Sequence, residues 1–176
     1  MTDDPVADPR TEALLRRRAE QLATRAADEH GGHPVEVIVS RLGDERYAVE
    51  TRFLRAVQWT SGATPVPSTP SYVLGLVSIR GEIITLLDLA AMLGLRRGAT
   101  PDDTGTRPAL LVGLPGVRAG LVVDEVLGVE QLRLDSLEPA LSGREFARGV
   151  APGPTVLLDI ELLLKSGRFD VDDSAF

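Results

Sequence analysis

The feature that most constrains this chain is an internal repeat. Residues 38–49, IVSRLGDERYAV, align without gaps on residues 110–121, LLVGLPGVRAGL, at a spacing of 72. A turn falls on a turn and a strand on a strand, and the same spacing places Val57 on Val129. Self-similarity of this kind indicates a duplicated supersecondary unit, so the fold must contain the same small structure twice.

The ends of the two copies also match, at a slightly different spacing. Leu86-Leu87-Asp88-Leu89 matches Leu157-Leu158-Asp159-Ile160, and Arg80-Gly81 matches Arg148-Gly149. Each aspartate follows an apolar strand and precedes an apolar helical turn, where a carboxylate caps a helix by accepting a backbone N–H. A pair of catalytic carboxylates is the alternative, and the helical setting favours capping.

Strands rather than helices account for most of both copies. Apolar and polar residues alternate with a period of two between Gly, Pro and Asp residues, which predicts about five short strands and one short helix in each copy. Such strands close into a barrel because closure removes exposed edges, and two barrels with thin cores are stable when packed together around a groove.

The prediction is an all-β fold of two pseudo-symmetric five-stranded barrels with short helices, within residues 34–168. The first barrel is placed at approximately 35–95, the second at approximately 108–168 and a connector at 96–107, with exchange of strands at the boundary left open.

Residues 1–33 precede the strands. An acidic start leads to Asp8-Pro9, an N-cap followed by proline, and Gly31-Gly32 ends the predicted α-helix. The helix has a narrow apolar stripe formed by Leu15, Ala19, Leu22 and Ala26. We expect this helix to dock on a barrel or on a partner and to be separable from the strands. Residues 169–176 form an acidic tail.

Composition excludes several functional classes. The 176 residues carry a formal net charge of −7 and include no cysteine, so disulfide and thiolate chemistry are excluded. Nucleic acid is disfavoured by the charge and by an aromatic content of 4%, which offers few stacking platforms. No apolar run long enough to span a bilayer or to act as a secretory signal is present, so we expect a cytoplasmic protein.

Patterns that carry enzymatic chemistry are also missing from the sequence. His30 and His33 lie in a Gly-containing loop without an acidic cluster, so a metal site is not expected. No phosphate-binding glycine loop precedes a helix and no nucleophile-elbow pattern is found. The sequence therefore predicts a protein without catalytic residues, metal or cofactor.

One segment is specific enough to suggest a family. Residues 66–89, VPSTPSYVLGLVSIRGEIITLLDL, contain a Pro-rich loop, a strand ending in Arg-Gly, and a strand ending in an Asp-capped helix. This run resembles the central signature of the CheW family of chemotaxis coupling proteins, and the resemblance extends over about 35–165. It implies two five-stranded SH3-like barrels, in agreement with the repeat.

The resemblance also implies a function. Members of the family are cytoplasmic adaptors in receptor arrays that couple chemoreceptors to a CheA-type histidine kinase. The cytoplasmic tip of the receptor lies in the groove between the barrels, and the kinase docks through apolar strand surfaces. No nucleic acid and no direct membrane insertion are expected.

Two groups of candidate binding residues follow from the resemblance. The receptor-binding residues are Val57, Gln58 and Arg80, and the kinase-binding residues are Val126, Leu127 and Val129. The family usually has a glutamate that pairs with the Arg-Gly arginine, and Gln58 stands at that position here. A charge-assisted bond would therefore become a neutral one, about half as strong.

Two other functions stay open from the sequence. The chain could be a CheW-like interaction domain of another two-component system, which the absence of receiver, kinase and phosphotransfer segments disfavours. Small barrels of a different class bind small ligands or nucleic acid. The net negative charge of the chain disfavours nucleic-acid binding.

Overall fold

The computed structural model describes residues 34–95, 106–140 and 145–166. The predicted N-terminal helix, most of the connector and the C-terminal tail lie outside the described residues. Within them the chain is mostly β-structure, with two short α-helices and two 3-10 turns, at Thr51–Phe53 and Leu134–Ser136. The strands are β1 (Pro34–Leu42), β2 (Glu45–Glu50), β3 (Leu54–Thr60), β4 (Val73–Ile79), β5 (Glu82–Asp88), β6 (Arg107–Leu114), β7 (Val117–Val122), β8 (Glu125–Arg133), β9 (Ala147–Ala151) and β10 (Thr155–Leu158). The helices are α1 (Leu89–Met92) and α2 (Ile160–Lys165).

The strands form two five-stranded sheets, and each sheet takes strands from both halves of the chain. One sheet has the order β8-β1-β2-β10-β9 and is called the β1 barrel here. The other has the order β3-β6-β7-β5-β4 and is called the β6 barrel. Neither sheet coincides with the predicted segments 35–95 and 108–168. In one sheet β3 and β5 pair with strands of the second half, and β4 joins through β5. In the other sheet β8 and β10 pair with strands of the first half, and β9 joins through β10.

Each sheet is closed by one backbone bridge between its last strand and the segment that follows its first strand. In the β6 barrel, Thr64 and Leu76 exchange two hydrogen bonds with N···O distances of 2.8 Å. In the β1 barrel, Glu138 and Val150 do the same at 2.9 and 2.8 Å. Two five-stranded SH3-like barrels are therefore confirmed as the fold.

The ladder register confirms the spacing of 72 residues. Val57 of β3 lies opposite Leu110 of β6, and Val129 of β8 lies opposite Ile38 of β1. The register also shifts at equivalent places, between Leu54 and Ala56 in one barrel and opposite Val39/Ser40 in the other, so the bulged residues are Arg55 and Leu127.

One predicted correspondence is wrong. Arg80-Gly81 forms the turn between β4 and β5, and its counterpart is Pro152-Gly153 between β9 and β10, since the two glycines have φ values of 83° and 85°. Gly149 instead stands beside the bridge at Val150, where Gly75 stands beside Leu76. The alignment of Arg148-Gly149 with Arg80-Gly81 was based on identical residue types. It did not allow for the different lengths of the two hairpins.

The main core joins the two barrels. The largest cluster of buried apolar side chains draws on β1, β2, β5, β6, β7 and β10 and on both helices, and smaller clusters fill the interior of each barrel. The helices are capped as predicted, because Asp88 accepts a hydrogen bond from the backbone N–H of Ala91 at 3.2 Å and Asp159 from that of Leu162 at 2.8 Å. These aspartates therefore stabilise the two helices, whose apolar residues pack in the central core.

Candidate partner-binding surface

The outer face of β3 carries exposed apolar side chains. Val57 is 40% exposed and Trp59 is 67% exposed. Both face outward because side chains alternate along β3 between the barrel interior and its outer face. β3 is an edge strand of its sheet. An exposed tryptophan next to an exposed valine is unusual for a surface that stays in water and is typical of a contact with another protein.

Gln58 and Arg80 lie on the other side of β3. They line a groove between the edge strands β3 and β4, together with Thr60, Ser61 and Ser78. Among the hydrogen bonds of the described residues, none joins Gln58 to Arg80. The structure therefore brings two of the predicted receptor-binding residues together and places the third, Val57, on the opposite face of the same strand.

Arg80 owes its position to a strained turn. Its φ is 53°, and the following Gly81 has φ 83°, which makes a two-residue hairpin turn with both residues in the left-handed region. Few non-glycine residues adopt that conformation. The turn projects the Arg80 side chain from the end of β4 towards β3, where it lines the groove.

The outer face of β8 repeats the apolar surface of β3. Leu127 is 44% exposed and Val129 is 58% exposed, whereas Val126 is half-buried and packs against the central core. The bulge at Leu127 breaks the alternation, so that Val126 and Val129 face the same side of β1 although they are three residues apart. Two of the three predicted kinase-binding residues are available to a partner, and the third supports the core.

Two ion pairs connect β8 to neighbouring strands, one at its start and one in its middle. Arg41 pairs with Glu125 and Arg46 with Glu130, each at 2.5 Å. At the end of the strand, hydrogen bonds from Arg133 lower the pKa of the Asp135 carboxyl below its usual value, and the same bonds raise the pKa of Arg133. The apolar pair on β8 is therefore surrounded by charges that are already neutralised.

Sequence reasoning missed three exposed residues near these surfaces. Trp59 follows Val57 by two positions, so the period of a strand could have placed it on the same face. Arg55 is the counterpart of Leu127 at the spacing of 72. Ile83, which is 74% exposed, sits in an apolar run next to buried Ile84 and gives no signal of exposure in the sequence.

The described residues offer little else that carries chemistry. Residues 34–95, 106–140 and 145–166 contain no group of histidines and carboxylates that could hold a metal ion. Their helices are also too short to cross a bilayer.

Comparison with known proteins agrees with this geometry. The family model for the CheW-like domain matches residues 36–168. A probable chemotaxis protein CheW of Rhizobium etli is 31% identical over 121 residues, covering 65% of this chain and 76% of the relative. The protein FrzA of Myxococcus xanthus is 36% identical over 110 residues, covering 61% of this chain and 66% of the relative.

The crystal structure of the scaffolding protein TtCheW from Thermoanaerobacter tengcongensis superposes with a TM-score of 0.63 at 26% identity. The match covers 71% of this chain and 88% of that one. The family model spans most of the chain, and the same two-barrel fold recurs in the solved scaffold. The chain thus belongs to the family of CheW-like domains.

Proposed function

We propose that this chain, a chemotaxis adaptor of the CheW-like family, couples the cytoplasmic tip of chemoreceptors to a CheA-type histidine kinase. It acts by binding alone, without metal, nucleotide or catalysis, and reaches the membrane-associated receptor array from the cytoplasm through its partners. A metal or a nucleotide bound stoichiometrically to the purified protein would contradict this part of the proposal.

The observation that carries the proposal is the pair of apolar surfaces on equivalent strands. Val57 and Trp59 on β3, and Leu127 and Val129 on β8, are exposed although the main core of the protein is fully formed. Burying a residue such as Trp59 in a partner contributes about 2 kcal/mol or more. Two separate surfaces of this kind favour a protein that holds two partners at once.

The two surfaces are assigned to different partners. The receptor surface comprises Val57, Gln58 and Arg80, with Trp59 added because it continues the exposed row of β3. The kinase surface comprises Leu127 and Val129, without Val126, whose side chain packs in the core. The assignment keeps the roles implied by the family resemblance and limits them to side chains that a partner could reach.

Reconstitution tests the proposal. The purified chain is mixed with a CheA-type kinase and a receptor signalling fragment from the same genome, and complexes are resolved by size-exclusion chromatography with light scattering. We expect a ternary complex that requires the adaptor. If the kinase and the receptor fragment each fail to bind the chain, and the chain instead retains RNA during purification, the nucleic-acid alternative replaces the adaptor.

A further inference from the structure

The distribution of unpaired positive charge singles out one end of the β6 barrel. In residues 34–95, 106–140 and 145–166, every basic side chain takes part in an ion pair except Arg55 and Arg80. These two arginines are far apart in sequence, one on the bulge of β3 and the other in the turn after β4. They nevertheless line the same cavity.

The cavity has a volume of about 310 Å³ and lies where β3, β5 and β7 begin. Its floor is apolar and belongs to the interior of the barrel, with Ile79, Ile84 and Leu111 among its residues. A third arginine, Arg118, stands at the rim and pairs with Glu82. Among the described residues that line the cavity, Glu82 is the sole carboxylate, so the rim keeps two uncompensated positive charges.

The corresponding end of the β1 barrel is neutral. At the spacing of 72 residues, Gln58 corresponds to Glu130 and Arg118 to Arg46, and there the carboxylate of Glu130 pairs with Arg46. Arg55 is replaced by Leu127, and the turn position of Arg80 is occupied by Pro152. The positive rim is thus a property of one of the two barrels and does not follow from the fold.

We propose that this cavity binds an acidic peptide segment of a partner protein, with a carboxylate between Arg55 and Arg80 and an adjacent apolar side chain on the floor. Arginine forms strong and often bidentate hydrogen bonds with carboxylates. The groove that continues from the cavity lies between two sheet edges, and such edges accept an extended strand. The inference rests on the proposed function, because Arg80 and Gln58 belong to the receptor surface. It specifies that the segment bound by these residues is acidic.

Trp59 provides the means of testing the site. It is the one tryptophan of the chain and lines the groove next to Gln58. The full-length protein is titrated with hexaglutamate while tryptophan fluorescence is recorded, and hexaglutamine serves as the neutral control. We expect a saturable change with hexaglutamate, none with hexaglutamine, and weaker binding at high salt.

Variants separate the site from the charge of the whole protein. Replacement of both Arg55 and Arg80 by glutamine should weaken hexaglutamate binding at least tenfold, whereas R133Q, which removes one charge from the other barrel, should leave it unchanged. Gln58→Glu should also weaken binding, because it supplies an internal carboxylate to Arg80. Thermal melts confirm that the variants are folded.

An unchanged dissociation constant in the double variant would overturn the proposal, and so would an equal loss in R133Q. The titration uses the chain alone, so its failure leaves receptor and kinase binding to be judged by reconstitution. Loss of reconstitution with intact hexaglutamate binding would instead contradict the adaptor function and support the anion-binding site.

Discussion

The β1 and β6 barrels share a plan but differ in what their ends and outer faces offer. At the β1 barrel, Glu130 neutralises Arg46 and the exposed apolar side chains of β8 are aliphatic. At the β6 barrel, Gln58 replaces that glutamate and β3 exposes a tryptophan. Arg55 and Arg80 form no ion pair with any carboxylate of the described residues. The two edge strands are similar in structure, and differences at a few positions make one surface apolar and neutral and the other mixed and positive.

The difference shows how one fold can discriminate between two partners. A neutral aliphatic surface binds through burial of apolar area and is insensitive to salt. A positive rim beside an aromatic ring selects a partner with carboxylates, and its affinity falls as salt is added. The predictions that follow run from the largest expected effect to the smallest.

The bridges that close the two barrels should differ in their tolerance of a side chain. Gly75 has φ 133°, and a Cβ there would overlap the carbonyl of Thr64, so Gly75→Ala should cost about 3 kcal/mol or more. A Cβ at Gly149 would lie 2.9 Å from the Glu138 carbonyl oxygen without a positive φ, so Gly149→Ala should cost about 1–3 kcal/mol. Urea unfolding measures both, and equal losses would show that the closures are equivalent.

Within β8, substitution by aspartate should distinguish a position in the core from a position on the surface. Val126→Asp places a carboxylate against the central core and should destabilise the protein by about 3 kcal/mol. Val129→Asp, on a side chain that is 58% exposed, should change the free energy of unfolding by less than about 1 kcal/mol. Chemical denaturation of both variants gives the comparison. A large loss of stability in Val129→Asp would show that this residue belongs to the core.

At the β6 barrel, Arg80 and Gln58 should act independently. Because their side chains share no hydrogen bond among those of the described residues, the losses of receptor affinity in Arg80→Ala and Gln58→Ala should add, with Arg80→Ala losing about 1–3 kcal/mol. Titration calorimetry with a receptor fragment completes the double-mutant cycle. A double variant no weaker than the worse single variant would mean that Arg80 acts through Gln58.

The smallest effect concerns the charge that distinguishes the barrels. Gln58→Glu gives the β6 barrel the carboxylate that Glu130 gives the β1 barrel. Since Arg80 is exposed, the new ion pair should stabilise the fold by no more than about 1 kcal/mol. Thermal denaturation at low and high salt measures this gain, which salt should reduce. A clear loss of stability would show that the groove does not accommodate a negative charge.

Local features were predictable from the sequence, and long-range pairing was not. The caps at Asp88 and Asp159 depend on residues close in sequence, and the spacing of 72 residues follows from comparing the two copies directly; the structure has both. The exchange of β3–β5 and β8–β10 between the barrels could not be predicted, because strand periodicity does not specify a partner. The exposed face of β8 could not be assigned either, because the bulge at Leu127 breaks the alternation on which such an assignment depends.

The central claim is that β3 and β8 serve different partners, and a reciprocal binding measurement tests it most directly. Titration calorimetry compares Arg80→Ala and Val129→Asp, each with the kinase regulatory domain and with the receptor fragment. We expect Val129→Asp to lose at least tenfold in kinase affinity and to keep receptor affinity, and Arg80→Ala to show the opposite pattern. If both variants weaken both partners equally, or neither variant weakens either, the two strands do not form separate binding surfaces.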